Sequence, residues 1–406
     1  MDSPRRIAPQ RGMLLPAFAI LLSLGGLGWL LARQDSAADR AARELAQETR
    51  TARALLIARD ALIGFAATYR NKEHPNADFG YLPCPDLNGD GSSETCGSKD
   101  QPSIGRLPYL TLNLPDLRDG AGECLWYAIS GSFKNNPKAS VVNWDSSGSF
   151  RLLDGSKQAI VLPGDQEGLA VAIVIAAGPP LAGQERAPGP GRCGGDQEAR
   201  HIQHYVESLG AVSGTGIIDV RSDTPDSNDR IAAITGGDIY RQLKSRDTYA
   251  PHLQTVLQAT ADCLQTARLP RPVEPIPSGA VEIGRLPALD RISGPCNKDT
   301  LRDATGNWGE MMRYARCIDG TDCLTGASNK CAGALLFGGE RLNGSTPQRR
   351  TNAEERKSTE QYLEPATLAA LATGQVSGLP ASIALPFATR TNTASADVAL
   401  CLNAAP

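Results

Sequence analysis

Apolar positions crowd the start of the chain and then thin into a periodic stripe. Residues 13 to 32, MLLPAFAILLSLGGLGWLLA, hold no charged side chain, and about 20 such residues match a bilayer's hydrocarbon core when helical. From Gln34 to Tyr69 there is no proline and one glycine, Gly64, among many Ala, Leu, Arg and Glu, all strong helix formers except glycine. Leu55, Ala58, Leu62, Phe65 and Tyr69 recur at steps of three and four, which draws an apolar stripe down one helix face. The pattern predicts a continuous helix over 13–70, with its first third in lipid and its last third packed on a globular body. Arg5, Arg6 and Arg11 precede the apolar run with one acid, Asp2, which orients the N-terminus to the cytoplasm by the positive-inside rule.

Beyond residue 70 the pattern changes to short apolar runs between glycine- and proline-rich turns, and it repeats. IGRLP occurs at Ile104–Pro108 and again at Ile283–Pro287. LRDGAGECLWYA from Leu117 is answered by LRDATGNWGEMMRYA from Leu301, AVAIVIAAGPPLAGQ from Ala170 by CAGALLFGGERLNGS from Cys331, and HIQHYVES around Tyr205 by STEQYLEP around Tyr362. Four matches in one order predict two similar antiparallel β-rich modules, at 71–235 and 276–406. A strand from Arg230 to Thr235 leads into a connector at 236–275, which reads as helix from near Gly237 with a break at Pro251, followed by the proline-rich PRPVEPIPSG from Pro270. The expected fold class is α+β: a long N-terminal transmembrane helix continuing into a β-rich ectodomain with two modules, behind a basic leader at 1–12.

With 406 residues, 41% hydrophobic content and a formal charge of -3, the chain has material for a sizeable core and no basic footprint for nucleic acid. Ten cysteines lie between Cys84 and Cys401 with no CxxC pair, a pattern of disulfides in an oxidising compartment rather than of a zinc site. Cys84 with Cys96, and Cys317 with Cys323, are the pairings that sequence proximity favours.

The leader and helix resemble the type IV pilin and pseudopilin superfamily. On that resemblance a prepilin peptidase cuts between Gly12 and Met13, in QRG|MLLPAFAILL, and the helix packs against those of other pilin-type subunits. The family's usual acid at the fifth mature position is Ala17 here, which points to a tip or initiator role. GYLPCPDLNGDG with IGRLP, LRDG and LWYA resembles large, cysteine-rich pilin-like proteins of bacterial secretion and pilus gene sets. The resemblance implies a single-pass inner-membrane protein with a periplasmic body.

Little in the chain promises catalysis. No GxSxG, P-loop, SxxK or HExxH occurs, and GPGRCG at Gly189 lies among prolines with no helix pattern behind it. His201 and His204 share a helix face with Glu198 and Glu207 nearby, and the stretch Gln348–Lys357 is dense in charge; both read first as solvated surface. One constellation suits a metal. Asp86, Asn88 and Asp90 with Gly91 match the first half of an EF-hand-like loop, with Glu94 as the remaining acid and Gly97 where the twelfth-position glutamate belongs. The same letters also describe an Asx-rich turn. The sequence thus predicts a non-enzymatic pilin-like component, in or at the tip of a type IV pilus or type II secretion pseudopilus, with Ca2+ as the one candidate cofactor. The alternative is a membrane-anchored periplasmic binding protein that is not assembled into a filament.

Overall fold

The computed structural model describes residues 14–72, 74–75, 77–186, 202–212, 216–221, 226–289, 296, 306–341, 347–384 and 397–403, with side chains from residue 37 on. Helix α1 (Leu14–Lys72) has 59 residues, about 88 Å at 1.5 Å per residue. From 37 to 50 every residue is exposed. The helix meets the body at Thr51, whose Oγ1 accepts from the N–H of Gly120 at 2.8 Å. A Cβ on Gly120 would lie 2.2 Å from the Gln47 carbonyl oxygen, so this seam needs glycine. Beyond it Ala54, Leu55, Ala58, Leu62, Phe65, Ala66 and Tyr69 are buried, the face that the three-and-four spacing predicts.

The transmembrane part of the expected fold class, and the single-pass inner-membrane placement drawn from it, are corrected: among the described residues no helix is long and apolar enough to cross a membrane. The described side chains of α1 include Asp39, Arg40, Arg43, Glu44, Glu48, Arg50 and Arg53 within four turns. Charges at that density are too costly to bury in hydrocarbon.

The strands follow as β1 (Ser103–Arg106), β2 (Trp126–Ile129), β3 (Phe150–Leu153), β4 (Ala172–Ala176), β5 (Leu209–Val212), β6 (Ile218–Arg221) and β7 (Arg230–Ile234). Helices α2 (Gly236–Lys244) and α3 (Tyr249–Thr266) come next. The chain then adds β8 (Val273–Ser278), β9 (Val281–Arg285), β10 (Met312–Cys317), β11 (Leu324–Thr325), β12 (Lys330–Cys331), β13 (Gly333–Phe337) and β14 (Val398–Leu402). The break between α2 and α3 falls at Ser245–Thr248, ahead of Pro251. That proline sits in the first turn of α3, where a missing N–H costs no helix bond.

Two sheets carry the repeat: β1-β2-β4-β7, and β14-β13-β10-β9 with β8 added at its edge. All their pairings are antiparallel, and their registers coincide. Gly105 pairs with Tyr127, Tyr127 with Val174 and Val174 with Ala232; Gly284 pairs with Tyr314, Tyr314 with Leu335 and Leu335 with Leu400. A one-residue slip would turn every side chain to the other face, so this agreement keeps corresponding residues of the two sheets on the same face. Helices obey it too. The C-terminal part of α1 lies against β4 and β7 as α3 lies against β13 and β14, so each sheet has its own helix.

Disulfides brace the body. Cys84 is bonded to Cys96 and Cys317 to Cys323; Cys263 ties α3 to Cys296, and Cys331 ties β12 to Cys401 on β14. Cys124 is also disulfide-bonded.

One hydrophobic core runs through both units, from Leu62 and Val174 to Leu257 and Leu335. At its centre lies a buried carboxylate, Asp78. Its Oδ1 accepts from its neighbour's Phe79 N–H at 2.8 Å and contacts His252 Nε2 on α3 at 2.9 Å. Its Oδ2 accepts from Trp308 Nε1 at 2.6 Å and Asn307 Nδ2 at 3.2 Å. Asn307 in turn accepts from the Val142 N–H, and its carbonyl accepts from Asn143 Nδ2. Burial pushes the Asp78 pKa up, but the hydrogen bonds and charge of His252, with Phe79 and Asn307, outweigh it and hold the carboxyl below its ordinary value. A depressed carboxylate contributes stability above its unfolded pKa of about 4 and loses it as pH falls through the folded pKa. Asp78→Ala leaves Trp308 Nε1 without its acceptor and His252 without its carboxylate, and thermal or urea unfolding at pH 7 should show a loss of about 3–5 kcal/mol. The deficit should shrink as the pH is lowered below 4; a variant as stable as the parent at pH 7 would remove Asp78 from this role.

Candidate functional site

The acidic constellation folds as a clamped loop. The Cys84–Cys96 disulfide closes it, and the Asn136 carbonyl accepts from the Cys96 N–H at 3.0 Å. Beneath it the wholly buried Lys134 donates from Nζ to the carbonyls of Cys96, Ser98 and Gln101 at 2.7, 2.6 and 2.9 Å. Burial lowers the pKa of that ammonium. Asp86 is also fully buried. It exchanges backbone hydrogen bonds with Arg106 at the end of β1, which fixes the loop to the first sheet.

Within the loop, Asp86 accepts from the N–H groups of Gly89 and Gly91. Gly91 has φ +91°, and a Cβ there would strike the Tyr109 ring at 2.6 Å, so the position that an EF-hand reserves for glycine requires it here as well. Glu94 accepts through Oε2 from the Leu87 N–H at 2.6 Å, while its Oε1 is buried without a hydrogen bond. Oxygens of Asp86, Asp90 and Glu94 lie within 4.8 Å of one another. Asn88 stays at the rim, donating to Asp90 Oδ2 at 3.3 Å. Three of the four sequence-predicted ligands therefore converge, and the fourth supports one of them.

The electrostatics follow from that crowding. Burial, and then the neighbouring acids, push Asp86 and Glu94 above ordinary carboxylate values. The more exposed Asp90 is held low by the Ser92 N–H. Such an oxygen cluster is the donor set that a hard divalent cation requires. Among the described residues the second unit has no counterpart: where the first pairs Asp86 with Arg106, the second pairs Val273 with Arg285 at the start of the β8–β9 hairpin.

A second polar assembly occurs in both units and escaped the sequence reading beyond its tyrosines. Arg106 and Arg186 lie over the Tyr205 ring at 4.5 and 4.8 Å, and Arg313 and Arg350 over Tyr362 at 3.9 and 4.2 Å. Arg186 donates to the carbonyls of His204 and Gly178 and to Gln184. Arg350 donates to those of Gln361 and Gly339 and to Gln348. Asp229 and Asp397 each accept from the N–H of the glutamate two residues after the tyrosine. These bonds and stacks engage the guanidinium groups in holding each tyrosine loop on its sheet. The signal was a Gln-x-Arg triplet at 184–186 and 348–350.

His204 Nδ1 accepts from the Glu185 N–H at 3.3 Å. His201, Glu198, Gly12 and Met13 lie outside the described residues. No family model, curated protein or solved structure matches the chain.

Because the folded pKa values of Asp86 and Glu94 are raised, these two acids favour the fold below their unfolded pKa values and oppose it as pH rises through the folded ones. A cation reverses that penalty at neutral pH. Calorimetric titration at pH 7 should give one Ca2+ site with Kd of about 0.1–1 mM, the range of extracellular modules. Ca2+ should raise Tm at pH 7 and much less at pH 4.5, and Glu94→Gln should abolish both effects. Equal Tm with Ca2+ and with chelator at pH 7 would show that the loop stands as an Asx turn alone.

Proposed function

We propose that the chain is a non-enzymatic, pilin-like assembly component, displayed in or at the tip of a type IV pilus or type II secretion pseudopilus. The observation that supports this reading is the outer face of α1. Leu45 and Leu56 are 65% and 57% exposed, and the step of about eleven residues from one to the other makes three helical turns. Ala38, Ala42 and Ala52, also exposed, fall along the same side. Ala58, Leu62 and Phe65, which pack on the sheet, occupy the opposite side. A helix with one apolar face on its own body and a second, partly small-residue face directed away is suited to pack against another helix at close range.

On this reading pilin-type subunits are the partners, prepilin peptidase acts at Gly12–Met13, and α1 is the assembly element while the two sheet units form the displayed body. The size of that body fits a position at the filament tip, where nothing needs to stack above it. On this reading the acidic loop braces the first unit.

Leu45→Arg with Leu56→Arg places two charges on the outer face without touching the packed one. The double variant should keep its circular dichroism and its Tm to within about 2 °C, since surface substitutions rarely cost more than about 0.5 kcal/mol. It should be lost from the sheared-filament fraction in which the parent chain is recovered. Recovery of the double variant at parental levels would contradict assembly through this face.

A further inference from the structure

A cleft of about 740 Å³ opens where the two units meet α2, within the range of small-molecule sites and at a junction where such sites recur. Its room comes from two facing glycines. A Cβ on Gly237 would lie 2.6 Å from the Gly164 Cα, and one on Gly164 would lie 2.9 Å from the Gly237 Cα. Half-buried Trp144 and the Tyr240 ring supply apolar wall.

Most polar groups around the cleft are already engaged. Asp165 accepts from Ser147 Oγ and from the N–H groups of Gly148, Glu167 and Leu169. Gln166 donates to the Asp145 carbonyl and accepts from the Arg350 N–H. Lys244 pairs with Glu340 and sits 4.8 Å over the Trp144 ring.

Arg341 differs. Its Nε lies 3.4 Å from Asp145 Oδ1, and both of its Nη groups lack a partner among the described residues. The other oxygen of Asp145 is held at 3.1 Å by Nη1 of Arg350, which is wholly buried. Two guanidinium groups therefore share the Asp145 carboxylate, and the Arg341 side chain, only 21% exposed, lines the cleft with its Nη groups. Burial, and then Arg350, lower the Arg341 pKa, partly opposed by the carboxylates of Asp145 and Asp165. A guanidinium fork matches a carboxylate through two parallel hydrogen bonds.

We propose that this cleft binds a small organic acid, with its carboxylate on the Nη groups of Arg341 and its apolar part against Trp144 and Tyr240. The assignment is independent of assembly through α1, because none of its residues lies on that helix.

Calorimetric titration of the full chain with phenylacetate, phenylacetamide and inorganic phosphate tests the proposal. Saturable binding of phenylacetate is expected, with none for the neutral phenylacetamide. Arg341→Gln should weaken it about tenfold or more, as loss of a charge-assisted pair does, and Arg341→Lys, which keeps the charge without the fork, should fall between. An unchanged Tm shows that either variant is folded, and the lysine variant carries the test where glutamine disturbs the fold. Phosphate binding more tightly than phenylacetate, equal binding of the acid and its amide, or parental affinity in both variants would overturn the assignment. So would the absence of saturable heat with phenylacetate.

Discussion

A carboxylate buried between two folding units must be answered by donors from both, and Asp78 is. It leaves the end of α1 in the first unit and meets His252 on α3 and Trp308 and Asn307 in the second. An unanswered charge at that depth would cost several kcal/mol, so the position of α3, the short helical segment at 306–308 and the strand that follows it are set together. Around this point Trp144, Tyr249 and Trp308 stack edge to face, with Trp144 Nε1 donating to the Tyr249 hydroxyl at 3.0 Å. The junction is thus polar at its centre and aromatic around it. Arg350 adds a second tie from the second unit to Asp145 of the first.

Much of the repeat was legible in the sequence because strands advertise themselves locally. IGRLP, the Tyr127 and Tyr314 runs, and the apolar strands ending in glycine all mark β-structure by short-range pattern, and the coincident registers place them at equivalent positions. The share of the helices in the repeat was not legible. The C-terminal part of α1 and α3 play the same part against their sheets, but helix patterns carry little register information, and α3 read as a connector. Nor could the hub be seen. Its partners are separated by up to 230 positions, and an aspartate, a histidine and a tryptophan so far apart carry no common period. Lys134 and Arg350 illustrate the same limit, since nothing local distinguishes a buried cation from the many solvated ones. The membrane span expected from residues 13–32 is not among the helices described: none of these is long and apolar enough to cross a membrane.

The candidate metal ligands were nearly all legible, because the turn chemistry that an EF-hand-like loop needs is itself local. Asp86, Asp90 and Glu94 meet, held by Gly89 and Gly91 turns and a disulfide. The comparison of the two units adds what the motif could not. The acidic loop occupies the place that a proline-bearing hairpin holds in the second unit, so it belongs to one copy of the repeat and not to the scaffold. The opposite holds for the arginine–tyrosine stacks, which recur in both copies with the same carbonyl acceptors. Shared features build the fold, and unshared ones are where the two units have diverged.

If the hub joins the two sheet units into a single cooperative body, differential scanning calorimetry of the disulfide-intact chain will show it. One transition is expected for the body, with calorimetric and van't Hoff enthalpies in agreement, and two separable transitions once Asp78 is replaced by alanine. Two resolved transitions in the unaltered protein would contradict it, because the units would then unfold independently and the buried carboxylate would not couple them.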